Sequence, residues 1–449
     1  MLQLPLKEKI QWHKLTPAQI LVVGYLTVII AGTFLLTLPI ATPGPGRLSI
    51  IDSLFTATSA TCVTGLIVVN TSSAFTVFGQ LVIMVLIQIG GLGIMSMSTL
   101  FAFIMGKKIT LKERLIIQED LNQFGISGLV RLVQYVLGIT IVIEGTGALI
   151  LFLRLVRDNS IIKSLYYAVF HAVSAFNNAG FDLFGNSLES FTGDLVINFV
   201  VMALIILGGI GFGVITEMYQ VRKFKKVSLQ TKIVIIITIF LLVFGFLVVL
   251  ALEYNNEATM GNLPFGQKIL SSFFLSVTPR TAGFNTLPTG ALQSSTLFFI
   301  IVLMFIGASP GSTGGGIKTT TFGVMIITLW NKITGKSDIE IYNRRIEEDD
   351  VLKALSITLL ALGLVVMVTM ILTVTESSDF LDIFFETVSA FGTVGLSTGV
   401  TSTLSDFGRI LITLTMFAGR VGPLTLAVAF AEREVKGVYH YPKEKIMVG

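Results

Sequence analysis

Four short segments of this chain end on a glycine in a pattern that could present backbone oxygens to a cation. The aligned glycines are Gly65, Gly180, Gly283 and Gly395, and a phenylalanine stands ten residues before each: Phe55, Phe170, Phe273 and Phe385. Glycine allows dihedrals that turn backbone carbonyls toward one side. Stacked carbonyl oxygens can replace the hydration shell of a large monovalent cation. A divalent cation would favour a ring of carboxylates, and none of the aligned segments carries an acidic residue.

The candidate cation ligands are the backbone oxygens of the last three residues in each segment. These residues are Val63, Thr64 and Gly65; Asn178, Ala179 and Gly180; Thr281, Ala282 and Gly283; and Thr393, Val394 and Gly395. Close helix packing is the competing interpretation of such glycines, because membrane helices also use small residues at their contacts. Four glycines in one register, each with the upstream phenylalanine, favour the cation-binding interpretation.

The glycine spacing defines a unit of about 110 residues that occurs four times. We predict repeats at residues 1–105, 106–226, 227–335 and 336–449. Each repeat contains a long apolar run, a segment of about a dozen residues, and a second apolar run. Runs of about 20 apolar residues can cross a bilayer as helices, whereas a dozen cannot. The expected fold is an all-α polytopic membrane protein, with eight transmembrane helices and four re-entrant pore helices in four M1-pore-M2 repeats around a central pore.

The composition excludes a soluble protein. Charged residues are 13% of the chain and hydrophobic residues 53%, against about 25% charged residues in soluble domains. A single cysteine and three histidines exclude a disulfide framework and leave little room for a metal site. Because nothing resembles a nucleophile paired with a base, we predict no enzymatic activity, no resident metal or cofactor, and no nucleic-acid partner.

The basic residues predict the orientation in the cell membrane. Most of the 31 lysines and arginines lie in the termini and in the loops between repeats, and such loops stay cytoplasmic. Both termini are therefore predicted to be cytoplasmic, with membrane lipid around the helices. Asp52 and Asp382 are the predicted N-caps of the first and last pore helices. The C-terminal ends of these helices would point toward the membrane centre, where their dipoles favour a cation.

The segment 307–318 interrupts the second apolar run of the third repeat. Its glycines and proline disfavour a helix, and irregular backbone at membrane depth survives where protein or a water-filled cavity surrounds it. We predict a gate formed by Gly311, Ser312, Thr313, Gly314, Gly315, Gly316 and Lys318, together with Arg420. Arg420 is expected to act as an electrostatic barrier or to pair with the loop; the alternative is that it snorkels to the cytoplasmic surface. A phosphate-binding loop is disfavoured because Ile317 breaks the spacing.

Three further polar residues in apolar surroundings need partners. Arg280 would repel a cation in the third segment, so we expect it to point toward pore-helix carbonyls or toward an acid such as Glu386. Glu144 lies in the middle of an apolar run and needs a partner. His171 is expected to pack or to form hydrogen bonds rather than to relay protons.

The four glycine-ended segments and the stretch from Gly307 to Lys318 resemble the Trk/Ktr/HKT superfamily of potassium transporters. The similarity covers essentially the whole chain and is greatest to the membrane subunits of bacterial Ktr systems. It implies potassium uptake, often sodium-dependent, by a channel-like homodimer with one pore per subunit. It also implies a gating role for the loop and a separate cytosolic nucleotide-binding ring subunit of the RCK/KTN type.

The same resemblance bears on the ion and on the mechanism. Plant relatives that favour sodium typically carry serine at the position of Gly65, so this chain is expected to prefer potassium, with Na⁺ as a candidate activating ion. The alternative is a sodium- or proton-coupled potassium symporter with alternating access on the same fold.

Overall fold

The computed structural model describes residues 16–44, 48–93, 115–116, 118, 129–336, 338–430, 444 and 447. In chain order its helices are α1 (Pro17–Thr37), α2 (Ile50–Thr61), α3 (Thr71–Ala74), α4 (Val77–Leu92), α5 (Leu129–Leu155), α6 (Ile161–Phe176), α7 (Leu195–Gly209), α8 (Phe212–Val221), α9 (Leu229–Glu253), α10 (Phe265–Val277), α11 (Ser294–Phe305), α12 (Thr319–Ile333), α13 (Glu348–Thr375), α14 (Phe380–Gly392), α15 (Asp406–Val421) and α16 (Pro423–Phe430). An antiparallel hairpin of β1 (Glu340–Ile341) and β2 (Arg344–Arg345) separates α12 from α13.

The first helix of each predicted repeat is long and apolar enough to cross a membrane. The membrane-capable stretches are Pro17–Thr37, Val133–Leu155, Leu229–Glu253 and Glu348–Thr375, with 21, 23, 25 and 28 residues. A helix of 20 residues rises about 30 Å, the thickness of the hydrocarbon core. The prediction of a predominantly helical, multi-pass membrane fold is therefore confirmed, although the short hairpin was not predicted.

Two of the second helices bend sharply, which the sequence analysis did not predict. α7 and α8 meet at 94° and α15 and α16 at 93°. The residues at these breaks are Gly211 and Gly422, with φ of 98° and 92°, and Gly93 at the end of α4 has φ of 85°. Only glycine adopts such a φ readily. The structure thus contains four unbroken spans in its described residues, or six if each bent pair counts as one, and the total of eight crossings stays a prediction.

Four shorter helices, α2, α6, α10 and α14, occupy the predicted pore-helix positions. They contain 12, 16, 13 and 13 residues and each packs on the first helix of its own repeat. Each also packs on the second helix of the preceding repeat: α6 on α4, α10 on α7, α14 on α11, and α2 on α15. The last contact returns to the first repeat, so the four units form a closed ring.

The predicted N-caps of the first and last pore helices are wrong by three residues. Ser49 caps α2, and its hydroxyl accepts a hydrogen bond from the Asp52 amide at 3.0 Å. Asp379 precedes α14. Asp52 and Asp382 instead lie in the first turns, where a carboxylate still interacts favourably with the helix dipole.

The repeat boundary at 105–106 lies outside the described residues. The other predicted boundaries fall between described helices and stay predictions.

Candidate functional site

The four aligned glycines meet in one ring, each against the next. A Cβ atom added to Gly65 would lie 2.5 Å from the Ala179 oxygen, one on Gly180 would lie 2.9 Å from the Ala282 oxygen, and one on Gly283 would lie 2.6 Å from the Val394 oxygen. A Cβ on Gly395 would overlap the Thr64 oxygen and close the circle. Since each of these oxygens belongs to the residue before the next glycine, the contacts run through the repeats in chain order. A side chain at any of the four positions would disturb its neighbour.

The backbone of the four turns shares an unusual conformation. The residue two before each glycine has positive φ: 50° at Val63, 57° at Asn178, 69° at Thr281 and 50° at Thr393. The glycines follow with φ of 89°, 68°, 75° and 92°. Positive φ is uncommon outside glycine and is a genuine outlier for a β-branched residue such as valine or threonine. The residue between them does not have positive φ, so the sign of φ alternates through each turn.

The N–H groups of three turns are bound by their own pore helices. The amides of Thr64, Ala179 and Val394 donate to the carbonyls of Ser59, Ser174 and Ser389, each at 2.8 Å. The amides of Gly65 and Gly395 donate to the Ser59 and Ser389 hydroxyls, each at 3.1 Å. The hydrogen bonds of their backbone N–H groups therefore hold these turns in place.

The third turn is held differently. The Ala282 amide donates to the Thr278 carbonyl at 3.0 Å, one residue later than the equivalent acceptor elsewhere. The Thr278 hydroxyl donates to the Phe284 oxygen at 2.5 Å, as the Ser174 hydroxyl of the second turn donates to the Phe181 oxygen at 2.7 Å. This is the repeat in which Pro279 and Arg280 replace small, aromatic or polar residues.

The second helices contact the ends of the pore helices through glycines. A Cβ on Gly90, Gly208 or Gly419 would overlap the carbonyl oxygen of Thr61, Phe176 or Phe391, respectively. The residues that carry these oxygens stand four positions before the ring glycines of repeats one, two and four. In the third repeat Gly307 contacts the Gly315 oxygen of the loop instead. The loop therefore takes a place that a helix contact fills in the other repeats.

The predicted gate, residues 307–318, is a closed and largely buried loop. Ile306 and Ile317 form a parallel bridge, and the Gly307 amide donates to the Ile317 oxygen at 2.9 Å. The Ser309 amide donates to Gly209 at 3.0 Å and the Gly316 amide to Gly419 at 3.3 Å. The loop thus lies between the broken second helices of repeats two and four and binds carbonyls at or near their ends.

The loop directly contacts the ring. The Gly315 amide donates to Thr393 Oγ1 at 2.9 Å, and Thr313 Oγ1 donates to the Phe176 oxygen at 3.3 Å. A Cβ on Gly314 would overlap Thr281 Oγ1. Of the predicted gate residues, Thr313, Gly314 and Gly315 therefore lie against the pore helices and turns of three repeats.

Arg420 lies against the loop. Its guanidinium donates to the oxygens of Thr313 and Gly90, and its Nε donates to the Tyr25 hydroxyl at 3.3 Å. The expectation that Arg420 pairs with the loop matches this geometry. Arg420 connects the loop to the first repeat.

A cavity of about 800 Å³ adjoins the loop. Gly311, Ser312, Gly314, Gly316 and Lys318 of the predicted gate are among its lining residues. The described lining residues include three cations, Lys318, Lys353 and Arg420, and no carboxylate. The Lys318 ammonium donates to the Gly314 oxygen at 2.8 Å. The loop therefore contacts both the ring and a cavity whose described lining carries basic side chains.

Arg280 turns away from the ring, toward the break between α7 and α8. Its Nη2 lies 3.4 Å from Thr238 Oγ1, and a small cavity lined by Ile206 and Gly209 adjoins it. The suggested pairing with Glu386 is not found, because Glu386 accepts hydrogen bonds from the hydroxyls of Ser397 and Thr401.

His171 forms hydrogen bonds with the backbone and stacks on an aromatic ring. Its Nδ1 lies 2.7 Å from the Tyr167 oxygen, its Nε2 accepts from the Leu183 amide at 3.2 Å, and its ring stacks on Phe184 at 4.1 Å. These contacts fit the expected packing role.

Glu144 has two partners that the sequence analysis did not identify, Gln88 and Asn177. Gln88 is a polar residue in an apolar run, and this feature of the sequence could have indicated it as a partner of Glu144. Among the described residues, no group of three His, Cys, Asp or Glu side chains could hold a metal ion.

Together, the membrane-capable helices and the ring of four glycine-ended turns are typical of a polytopic membrane transport protein. Residues 4–437 match the TrkH family of cation transport proteins, and the chain belongs to that family. This is a family of transport proteins, which confirms the prediction that the chain is not an enzyme.

Relatives from several bacteria align with nearly the whole chain. The Ktr system potassium uptake protein B of Bacillus subtilis is 47% identical over 440 residues and covers 98% of both chains. The potassium/sodium uptake protein NtpJ of Enterococcus hirae is 39% identical over 97% of this chain and 98% of its own. The crystal structure of the potassium transporter TrkH from Vibrio parahaemolyticus matches with a TM-score of 0.75 at 17% identity, covering 95% of this chain and 86% of the other.

Proposed function

We propose that this protein takes up potassium across the cell membrane, through a selectivity filter formed by the backbone oxygens around Gly65, Gly180, Gly283 and Gly395. The observation that carries the proposal is the cyclic contact of these four turns, each with a left-handed residue two positions before its glycine. The names of relatives with 47% and 39% identity describe potassium or potassium/sodium uptake.

The ring suits potassium for two physical reasons. Its candidate ligands are neutral backbone oxygens without carboxylates, which favours a weakly hydrated monovalent cation. The turns are also fixed through their N–H groups by the pore helices. Ion binding then requires little rearrangement of the protein.

The loop 307–318 acts as the gate in this proposal. It contacts both the ring and the cavity, and its glycines allow more than one backbone conformation. An ion leaving the ring would meet Thr313, Gly314 and Gly315 first. Arg420 binds the Thr313 oxygen. When the loop moves, this hydrogen bond must therefore break or Arg420 must move with the loop.

Control of the gate is assigned to a separate cytosolic subunit with a nucleotide-binding ring of the RCK/KTN type. The name Ktr system implies more than one component for the relatives from Bacillus subtilis. We further propose a homodimer in membrane lipid, with eight crossings per subunit and both termini in the cytoplasm. Na⁺ is a candidate activating ion, which the name of the Enterococcus relative supports.

The alternative is a sodium- or proton-coupled symporter with alternating access on the same fold. The two mechanisms differ in what drives potassium against its gradient. In the channel-like mechanism only the membrane potential and the potassium gradient set the direction of flux. In a symporter an opposing sodium or proton gradient reverses it.

Flux through the purified protein in liposomes separates these mechanisms. Potassium accumulation would be followed with the voltage fixed externally and with sodium and proton gradients imposed in either direction. The proposal predicts that flux follows the potassium electrochemical gradient alone, with sodium changing its rate. Uphill potassium movement driven by a sodium or proton gradient would support the symporter instead.

A further inference from the structure

A carboxyl group lies within the apolar middle of α5, at Glu144. Its neighbours Ile141 and Val142 are 72% and 66% exposed on the helix surface, as expected for side chains that face lipid. A charged side chain in this environment is unfavourable unless the protein compensates it. Such a residue is therefore a candidate for a specific role.

Two amide side chains compensate Glu144. Its Oε1 accepts a hydrogen bond from Asn177 Nδ2 at 2.9 Å, and its Oε2 accepts one from Gln88 Nε2 at 3.4 Å. Asn177 Nδ2 also donates to Gln88 Oε1 at 3.0 Å. The three side chains form a closed triangle that joins α4, α5 and the end of α6. Within the described part of the chain, no basic side chain forms an ion pair with Glu144.

Asn177 stands where the second pore helix becomes the ring. It is fully buried and is the C-cap of α6. Its backbone N–H donates to the Val173 oxygen at 3.0 Å. The next residue, Asn178, has a left-handed backbone with φ of 57°. A rotation at Asn177 would therefore pass directly into the turn that ends at Gly180.

The same line of contacts continues into the third repeat and the loop. Asn178 Nδ2 donates to Thr281 Oγ1 at 3.1 Å and to the Arg280 oxygen at 3.3 Å. Thr281 Oγ1 in turn lies against Gly314. A carboxyl group on the helix surface is thus connected through packed polar side chains to two turns of the ring and to the loop.

We propose that Glu144 is a positioning residue for the second turn of the ring: it fixes Asn177 and thereby the geometry of Asn178, Ala179 and Gly180. Asn177 Oδ1 has no hydrogen-bond partner and packs against Gly91, so the hydrogen bonds that orient the side-chain amide are those of Nδ2 to Gln88, Glu144 and the Val173 oxygen. Glu144 and Gln88 supply two of these contacts. An aliphatic residue at position 144 would suit lipid better, so membrane insertion does not explain the carboxyl group.

The inference rests on the proposed filter function. Its test distinguishes a failure of the role of Glu144 from a failure of the filter itself. Ion preference for potassium over sodium would be measured by flux into liposomes for the full-length protein. Glu144→Leu is expected to lower that preference about threefold or more, because it removes a hydrogen bond to a charged group, at normal membrane abundance. Glu144→Gln, which can still accept from Asn177, should have a smaller effect. Glu144→Leu combined with Asn177→Ala should lower the preference no further than the stronger single substitution.

Thr146→Val is the matched control. It lies two residues further along α5, and its hydroxyl bonds its own helix at the Val142 oxygen. Its ion preference should equal that of the parent. If Glu144→Leu does not fold, Glu144→Gln and Gln88→Met carry the test, and each should lower the preference measurably.

Three results would overturn the inference or its basis. An unchanged preference in Glu144→Leu, together with a reduced preference in Gly180→Ser, would remove the role of Glu144 and leave the filter intact. An unchanged preference in both would remove the filter as well. If Glu144→Leu does not fold, parental preference in both Glu144→Gln and Gln88→Met would likewise exclude the positioning role.

Discussion

Arg409 of the last repeat forms an ion pair with Asp52 of the first, with 2.8 Å between Nη1 and Oδ1. The side chains are 20% and 17% exposed, and Arg409 Nη2 also donates to the Ser402 oxygen at 3.3 Å. The pair joins the start of α15 to the first turn of α2. It therefore fastens the ring of repeats at the point where the chain itself provides no connection.

Removing either member of this pair should loosen the junction between repeats four and one. Arg409→Gln and Asp52→Asn are each expected to lower the free energy of unfolding by about 1–3 kcal/mol, since the partner left behind is mostly buried. Thermal unfolding in detergent measures this. Arg345→Gln is the control, because the Arg345–Asp338 pair is 60% and 41% exposed and such pairs contribute about 0–1 kcal/mol. Equal effects of Arg409→Gln and Arg345→Gln would contradict the role of the buried pair.

The glycines of the second helices should be intolerant of even one added methyl group. Gly419→Ala would place a Cβ on the Phe391 oxygen and is expected to destabilise the fold by about 1–3 kcal/mol, as overpacking does. Gly363→Ala is the matched control, since nothing lies within 4 Å of a Cβ there. By helix propensity alone that control should be neutral or slightly stabilising. Comparable loss of thermal stability in both variants would exclude the backbone contact as the cause.

Arg420 should restrain the loop and so reduce flux. Arg420→Gln removes the positive charge and weakens the bond to the Thr313 oxygen, so potassium flux without the cytosolic partner should rise several-fold. Tyr25→Phe is the control, because it removes the contact of Arg420 Nε with the Tyr25 hydroxyl and leaves both the charge and the bond to the loop. If Arg420→Gln folds and conducts no more than the parent, Arg420 is neither a barrier nor a tether.

Shortening the loop between Gly311 and Gly316 should open the path between ring and cavity. The expected result is higher flux and weaker control by the cytosolic partner, because fewer loop atoms remain against Thr281 and Thr393. Flux with and without the partner measures both effects. Gly363→Ala serves as a control for a change outside the loop, since no atom lies within 4 Å of an added Cβ there. A folded, shortened variant with parental flux would make the loop a packing irregularity.

The sequence predicted the fourfold arrangement because the same residues recur at a fixed spacing. Gly65, Gly180, Gly283 and Gly395 lie in one ring, and the first helices span the predicted runs. The breaks at Gly211 and Gly422 were not predicted as sharp bends, because a glycine within an apolar run is compatible with a continuous membrane helix. Only the positive φ of these residues distinguishes the two cases.

Contacts between distant parts of the chain could not be predicted from the sequence. The partners of Arg280 and Glu144 depend on how α4, α5 and α9 pack, which no local pattern encodes. The N-cap predictions were wrong for a different reason. Asp52 and Asp382 recur at matching positions, but the N-caps of the two helices are Ser49 and Asp379.

The most direct test of the central claim is the ion preference of serine substitutions at the four ring glycines. Gly65→Ser, Gly180→Ser, Gly283→Ser and Gly395→Ser would be compared with Gly363→Ser, whose site has open space, by potassium and sodium flux in liposomes. The account predicts a lower preference for potassium over sodium in all four ring variants and a parental preference in the control. Parental preference in all four ring variants, at normal abundance and stability, would contradict the filter.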